Sequence, residues 1–164
     1  MPDLVDGLNM IERVKKKAHV SNTSRTAQRR YVMEDQVGFL MRVAMQRHTS
    51  IFMSLMVHDL TQTQFAAVAK LAEVGTCSQN QLGRLIYLDA NTVKGVVDRL
   101  RARKLVAIES TPKDRRRSML TLTKLGHRAA VEATVLAHQI TKATLAPLRP
   151  LEQRHIVRLL QKMI

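Results

Sequence analysis

Two helix-start signals, Ser78 and Asp89, stand so close together that the chain between them has room only for one short helix and a sharp turn. Such residues begin helices because their side-chain oxygens accept hydrogen bonds from the free N–H groups of the first turn. Ser78 with Gln81 has the S-x-x-Q form of a capping box. Leu82, Leu85 and Ile86 face inward behind it, and the segment ends near Leu88. Asp89 then opens a helix whose buried face is Val93, Val96, Val97 and Leu100. Two short helices joined this tightly make a helix-turn-helix.

Immediately afterwards the apolar spacing changes from helical to alternating. Val106 and Ile108 alternate with Ala107 and Glu109, and the stretch from Met119 to Thr123 places Leu120 and Leu122 on one face. Between them runs Thr111-Pro112-Lys113-Asp114-Arg115-Arg116-Arg117, a polar turn with four cations. Period-two segments around such a turn predict a β-hairpin, here with a basic tip.

On either side the pattern is helical. From Glu34 to Val57 the residues Val37, Met41, Ala44, His48, Ile51 and Leu55 recur at spacings of three and four, and Leu40, Phe52 and Met56 widen the stripe. Thr61 and Gln64 make a second capping box, ahead of Phe65, Val68, Ala69 and Ala72, with Gly75 as the stop. After the hairpin a long helix from about Lys124 carries Ala129, Ala133, Leu136, Ile140 and Thr144, and Pro147 and Pro150 end it. A last helix, Leu151 to Ile164, carries Ile156, Leu159, Leu160 and Met163. The first and last helices are too apolar to stand alone in water, and a second copy of the chain is their expected cover. The expected fold is therefore mainly α with a small β-hairpin: a winged helix-turn-helix with a helical dimerisation region formed by the N- and C-terminal helices. Residues 1–33 read as a basic, partly disordered arm, 34–60 as a dimerisation helix, 61–123 as the winged helix-turn-helix, and 124–164 as the C-terminal dimerisation helices.

Charge narrows the partner. The 27 Lys and Arg against 13 Asp and Glu leave a net charge of +14, which points to a polyanion: nucleic acid first, an anionic membrane surface second. Within residues 84–117 there are ten basic and four acidic side chains. The single cysteine, Cys77, leaves no internal disulfide and no cysteine-based zinc cluster. No apolar run approaches the ~20 residues of a membrane span, and no secretory signal is visible. A cytoplasmic location without a membrane partner is the expectation.

An α-helix fits the DNA major groove, and residues near its N-terminus reach base edges. The exposed face of the helix after Asp89 holds Asn91, Thr92, Lys94, Gly95, Asp98 and Arg99. Asn91 can serve adenine, Lys94 guanine, and Thr92 a base or a phosphate; Gly95 permits close backbone approach. At the hairpin tip, Lys113, Arg115, Arg116 and Arg117 can reach an adjacent minor groove, where negative potential is concentrated. Asp114 is expected to hold one of these arginines in a bidentate ion pair. The competing reading for both sets is a solvated charged surface.

Residues 114–126, DRRRSMLTLTKLG, resemble the wing pattern D-R-R-x-x-x-[LV]-x-L-T-x-x-G of the MarR family of bacterial regulators. The stretch from Leu85 to Val106 resembles that family's recognition helix and first wing strand, and Leu60-Thr61 with Phe65 resembles its L-T-x-x-x-F start to the second helix. The resemblance runs from about residue 34 to the end. It implies a two-fold dimer made by the terminal helices, an inverted-repeat operator on double-stranded DNA, usually repression, and often release by a small aromatic acid or phenol. The whole also resembles the branch that represses nicotinate-type aromatic catabolism. One departure is Lys104, where relatives commonly have Gly at the end of the recognition helix.

In that architecture an effector sits between the dimerisation helices and the DNA-binding lobe, against the first, second and long fifth helices. His48, on the apolar stripe of the first helix, is the candidate for a carboxylate or ring hydroxyl. Met45, Thr49, Phe52 and His58 are placed on the same wall, with Arg42 as a cation; the competing reading of His48 is a hydrogen-bonded core histidine. The six histidines form no H-x-x-x-H pair, so no metal and no cofactor other than the effector is expected. Cys77 has no cation beside it in sequence and reads as an inert thiol rather than a redox sensor. An enzyme is disfavoured by the lack of a phosphate-binding glycine loop or a nucleophile elbow. A protein that coats DNA without sequence preference remains a rival.

Overall fold

The recognition segment folds as its capping residues dictate. In the computed structural model, which describes residues 30–111 and 114–164 and gives the main chain alone for 110, 111 and 114–117, Ser78 caps a short helix α3 (Gln79–Leu85) by accepting from Gln81 N–H at 3.2 Å. Asp89 caps α4 (Ala90–Ala102). Between them Tyr87 takes a left-handed conformation, φ 55°, and the turn closes through Leu88 N–H to the Gly83 carbonyl at 2.9 Å. Before this pair, α1 (Val37–Leu55) and α2 (Gln62–Val74) meet at a tight elbow. The capping box at Thr61 is complete. Gln64 N–H donates to the Thr61 hydroxyl at 3.3 Å, and Thr61 N–H donates to Gln64 Oε1 at 3.1 Å.

The alternating segments pair as antiparallel strands β2 (Val106–Thr111) and β3 (Asp114–Leu122), in register Val106 to Leu122 and Ile108 to Leu120. The strands run further toward the tip than the turn expected over 111–117: Asp114 to Arg117 belong to β3, so only residues 112 and 113 are left for the reversal, and these lie outside the described residues. A third strand, β1 (Cys77–Ser78), pairs with β3 through Cys77 to Leu120 and gives the order β1-β3-β2. Two residues are too short a run to leave an alternating signature in the sequence, and Ser78 was already accounted for as a cap.

The chain then enters α5 (Lys124–Leu145) and ends in α6 (Pro150–Gln161), where Pro150 occupies the first turn, a position that needs no backbone N–H. The core joins α2, α3, α4, the sheet and the first half of α5. Val68, Leu71, Leu82, Val93, Val96, Val97, Leu100, Leu120 and Ala133 are all essentially inaccessible there. This lobe buries its apolar residues within one chain. The terminal helices do not: of α1 only Phe52 is buried, and of α6 no residue. Leu40 and Leu159 are each more than half exposed. The residues Asp35–Ile164 form one unit; the preceding unit, Met1–Glu34, contains the whole stretch 1–33 expected as a basic arm, and residues 1–29 lie outside the described residues.

Candidate nucleic-acid interface and ligand cavity

Asp89 sets the geometry of the candidate recognition helix. Its Oδ1 accepts from both Asn91 and Thr92 N–H at 3.0 Å, and its Oδ2 accepts from the Thr92 hydroxyl at 2.5 Å. The Thr92 hydroxyl bond, followed by the backbone bonds of Thr92 and Asn91, holds the Asp89 carboxyl below its ordinary value. Thr92 thus spends its one hydroxyl proton on the cap and keeps only acceptor capacity for an outside partner. Asn91, Lys94, Asp98 and Arg99 stand exposed on the face opposite Val93, Val96, Val97 and Leu100. Asp98 lies 3.8 Å from Arg101, one turn on, and so is engaged within the helix. Gly95 is half-buried, and the guanidinium of Arg99 lies over it: a Cβ at 95 would stand 3.5 Å from Arg99 Nη1.

The end of the helix is as specific as its start. Lys104 has φ 58°, Lys104 N–H donates to the Arg101 carbonyl at 2.8 Å, and Leu105 N–H to the Leu100 carbonyl at 3.0 Å. This is a full Schellman pair, the conformation for which Gly is the usual residue. Lys104 therefore departs from the family pattern in its side chain and keeps it in its backbone. The next link is Thr123, which caps α5 by accepting from Gly126 N–H at 3.0 Å and donates its own hydroxyl to the Lys104 carbonyl at 2.6 Å. The wing is thereby sewn to the last turn of α4. Of the wing residues, Asp114, Arg115, Arg116 and Arg117 are placed on β3; the expected ion pair of Asp114, and Lys113 as a whole, lie outside the described residues.

A cavity of about 350 Å³ lies between α1, α2 and α5, lined by Met45, His48, Phe52, Gln62, Phe65, Ala137, Ile140 and Thr141. Its volume is at the small end of ligand sites. Phe52 lies 6.0 Å from Phe65 and 6.3 Å from the His48 ring, centre to centre, and is tilted to each of them. Such a wall favours a flat ring packed edge or face against it. One ring nitrogen of His48, Nδ1, is bonded to the Thr144 hydroxyl at 2.9 Å, and the residue lines the cavity. His48 is the one ionisable side chain in the lining.

Of the expected wall, Met45, His48 and Phe52 line this cavity. Thr49 stands behind it and accepts from the lining residue Gln62 at 3.3 Å. Arg42 packs over Phe39 at 5.2 Å on the exposed side of α1, and His58 pairs with Glu132 at 2.8 Å; neither belongs to the lining. Gln62, Phe65, Ala137 and Thr141 were missed as individual residues. The sequence marks Phe65 only as a residue following the Thr61 cap and as part of the L-T-x-x-x-F pattern, and the α5 stripe containing Ile140 points to this wall without saying which positions face it. Cys77 is fully buried in β1, and burial pushes its thiol up from the ordinary value, away from the reactive thiolate.

A family model described as MarR family matches residues 58–117, from the elbow before α2 to the basic end of the wing. The HTH-type transcriptional repressor NicR of Pseudomonas putida is 38% identical over 136 residues, covering 82% of this chain and 85% of that protein. The chain belongs to the MarR family. This MarR-family chain is accordingly a transcription regulator and not an enzyme. Its fold matches a probable transcriptional regulator from Pseudomonas aeruginosa with TM-score 0.78 and 41% identity, over 81% of this chain and 100% of that one. It matches BpsR of Bordetella bronchiseptica, described by a mechanism for regulation of its DNA binding by 6-hydroxynicotinic acid, with TM-score 0.76 and 41% identity, over 81% and 96%. PcaV of Streptomyces coelicolor, in complex with its natural ligand, matches at 0.75 and 28% identity, over 81% and 94%.

Proposed function

We propose that this MarR-family regulator is a homodimeric repressor that binds an inverted-repeat operator and is released by a small aromatic carboxylate or phenol, of the hydroxypyridine-carboxylate kind. The observation that carries the DNA-binding part is the exposed polar face of α4. Asp89 fixes it at one end and the Lys104 turn at the other, in a chain of net charge +14. Base readout falls to Asn91 and Lys94, and phosphate or minor-groove contact to Arg99 and the wing residues Lys113, Arg115, Arg116 and Arg117. The repressor reading is supported by the likeness to NicR.

The dimer reading rests on the apolar surface of the terminal helices. Val37, Leu40 and Met41 on α1, with Leu151, Leu159 and Leu160 on α6, are exposed, and a two-fold copy would cover them. Such a dimer reads half-sites about one helical turn, 10–10.5 bp, apart. The effector reading rests on the aromatic wall with one histidine in a cavity of ligand size, and on the likeness to BpsR and PcaV.

Footprinting on the DNA flanking the protein's own gene tests all three parts. Hydroxylated and unsubstituted pyridine and benzene carboxylates, 6-hydroxynicotinic acid among them, are added in turn. The expected result is protection of one short palindrome by a species of dimeric mass, lost on adding one class of ring acid. Uniform protection of all DNA, or a monomer at working concentration, would overturn the reading. Affinity should fall by about 0.9 log units per log of salt for each phosphate neutralised.

A further inference from the structure

Arg103, the residue on which the recognition helix ends, reaches the segment between α1 and α2. Its Nη2 donates to the carbonyl oxygen of His58, and its Nη1 to the carbonyl of Asp59 at 3.3 Å and to Gln64 Oε1 at 3.4 Å. Three acceptors thus converge on one guanidinium. His58 and Asp59 form the elbow between α1 and α2, and both are left-handed, with φ 57° and 43°. Neither is a glycine, so the elbow sits in a conformation that ordinary side chains disfavour, and the bonds to Arg103 are among those that hold it there, with the His58–Glu132 pair. Gln64 is the one buried polar residue among the described residues, and its Oε1 is shared between Arg103 and the Thr61 cap.

The same elbow is where the walls of the cavity come together. Gln62 and Phe65 line the cavity from the turn of α2 that carries Gln64. His48 and Phe52 line it from α1, which runs into the elbow. The His58 ring is tied to Glu132 on α5, the helix that supplies Ala137, Ile140 and Thr141 to the lining. A molecule that shifts the first turn of α2 against α1 must therefore shift the acceptors that hold Arg103. Arg103 N–H in turn donates to the Arg99 carbonyl at 3.2 Å, so its main chain is still part of the recognition helix.

We infer that Arg103 is the positioning residue that couples the cavity to the DNA-binding face: its bonds to the His58 and Asp59 carbonyls and to Gln64 set the orientation of α4, and filling the cavity acts on DNA through them. The inference rests on the reading of the cavity as the effector site, and the experiment separates the two. Arg103→Ala removes all three bonds; Arg103→Lys keeps the charge and can reach one acceptor.

Operator affinity is measured by fluorescence anisotropy in a double-mutant cycle that needs no ligand. Ala137→Phe fills the cavity from α5, and Thr141→Met, at its exposed rim, is the milder filler should the first not fold. Thermal melts check that each variant is folded. The expected result is that the filler weakens operator binding in the Arg103 protein, and that this weakening shrinks at least about fivefold in Arg103→Ala, with Arg103→Lys in between. Additive losses overturn the inference, as does a folded filler variant that binds operator like the wild type.

A second arm titrates 6-hydroxynicotinic acid by calorimetry and repeats the anisotropy with it present. Equal binding by wild type and Arg103→Ala, with DNA release lost only in the variant, supports the coupling; equal release from both overturns it. Failure of the wild type to bind this acid counts against the ligand assigned to the cavity, and the ligand-free cycle still decides the role of Arg103.

Discussion

Gly126 lies against the carbonyl oxygen of Leu105 so closely that a side-chain Cβ built at 126 would overlap it, with the Leu122 side chain next, 3.2 Å away. The contact occurs where α5 leaves the sheet and crosses the end of the recognition helix. Thr123 N–H donates to that same Leu105 carbonyl at 3.1 Å, and the obstacle is backbone, which cannot rotate aside. Gly126→Ala should therefore cost about 3 kcal/mol or more, at the upper end of overpacking, read as a drop in the urea midpoint at unchanged slope. Wild-type stability in that variant would mean that α5 and the wing are free to separate, and the account of this joint would be wrong.

Lys104 gives the opposite expectation. Its φ of 58° is the left-handed region, held by the Schellman pair to Leu100 and Arg101. A residue with a Cβ pays roughly 1–2 kcal/mol to sit there, less the extra unfolded-chain entropy that a glycine brings. Lys104→Gly should raise stability by roughly 0.5–1 kcal/mol, seen as a higher midpoint in chemical denaturation, while Lys104→Val should lower it. Removing a cation at this position should also flatten the salt dependence of DNA binding slightly if the Lys104 side chain meets phosphate; an unchanged slope would place its role in the turn alone.

How much of this was readable beforehand depended on whether the determining contacts are local. Thr61, Ser78 and Asp89 act within three or four residues of themselves, so the starts of α2, α3 and α4 were legible in their spacing alone. The same holds for the alternation of Val106, Ile108, Leu120 and Leu122. By contrast, β1 exists because Cys77 pairs with Leu120, far along the chain. Arg103 gave no signal because two of its three acceptors are the backbone carbonyls of His58 and Asp59, which any residue type supplies, and the third, Gln64 Oε1, is far away in the chain. The cavity was half legible for a related reason. The stripe of α1 identified Met45, His48 and Phe52, but a stripe cannot say how far along its length a second helix lies against it. That is why Arg42, one turn earlier, falls outside the lining. The L-T-x-x-G pattern, met first as a family likeness, acquires a physical cause. Leu122 fills the core, Thr123 caps α5 and ties it to Lys104, and Gly126 clears the Leu105 carbonyl.

The cap of the recognition helix should show itself in acid. The Asp89 carboxyl is held below its ordinary value of 3.8, chiefly by the Thr92 hydroxyl. A carboxyl depressed in the folded state binds its proton more weakly there than in the unfolded chain. Its contribution is thus complete above the unfolded value and is lost as pH falls through the folded one. From pH 8 down to about 5 the difference in melting temperature between wild type and Asp89→Asn should be constant, and it should shrink below about pH 4. A difference that instead varied between pH 5 and 8 would assign the effect to a histidine and not to this cap.

Gly95 allows the structural and the DNA-binding demands on α4 to be separated in one substitution. A glycine in the interior of a helix weakens it, and Ala in its place is worth about 0.5–1 kcal/mol. Space does not forbid the change, since the nearest atom to a Cβ there is Arg99 Nη1 at 3.5 Å, an ordinary contact at the end of a flexible side chain. If stability alone governed the position, Gly95→Ala would be a simple improvement. The face that Gly95 shares with Asn91, Lys94 and Arg99 is, however, the one assigned to the major groove, where an added methyl group holds the backbone further from the bases and confines the Arg99 guanidinium. Gly95→Ala is therefore expected to raise the denaturation midpoint while lowering operator affinity, with the loss larger on the palindrome than on random duplex at the same salt. A variant both more stable and undiminished in operator binding would move the DNA contact off this part of α4, toward the wing and the residues before Val93.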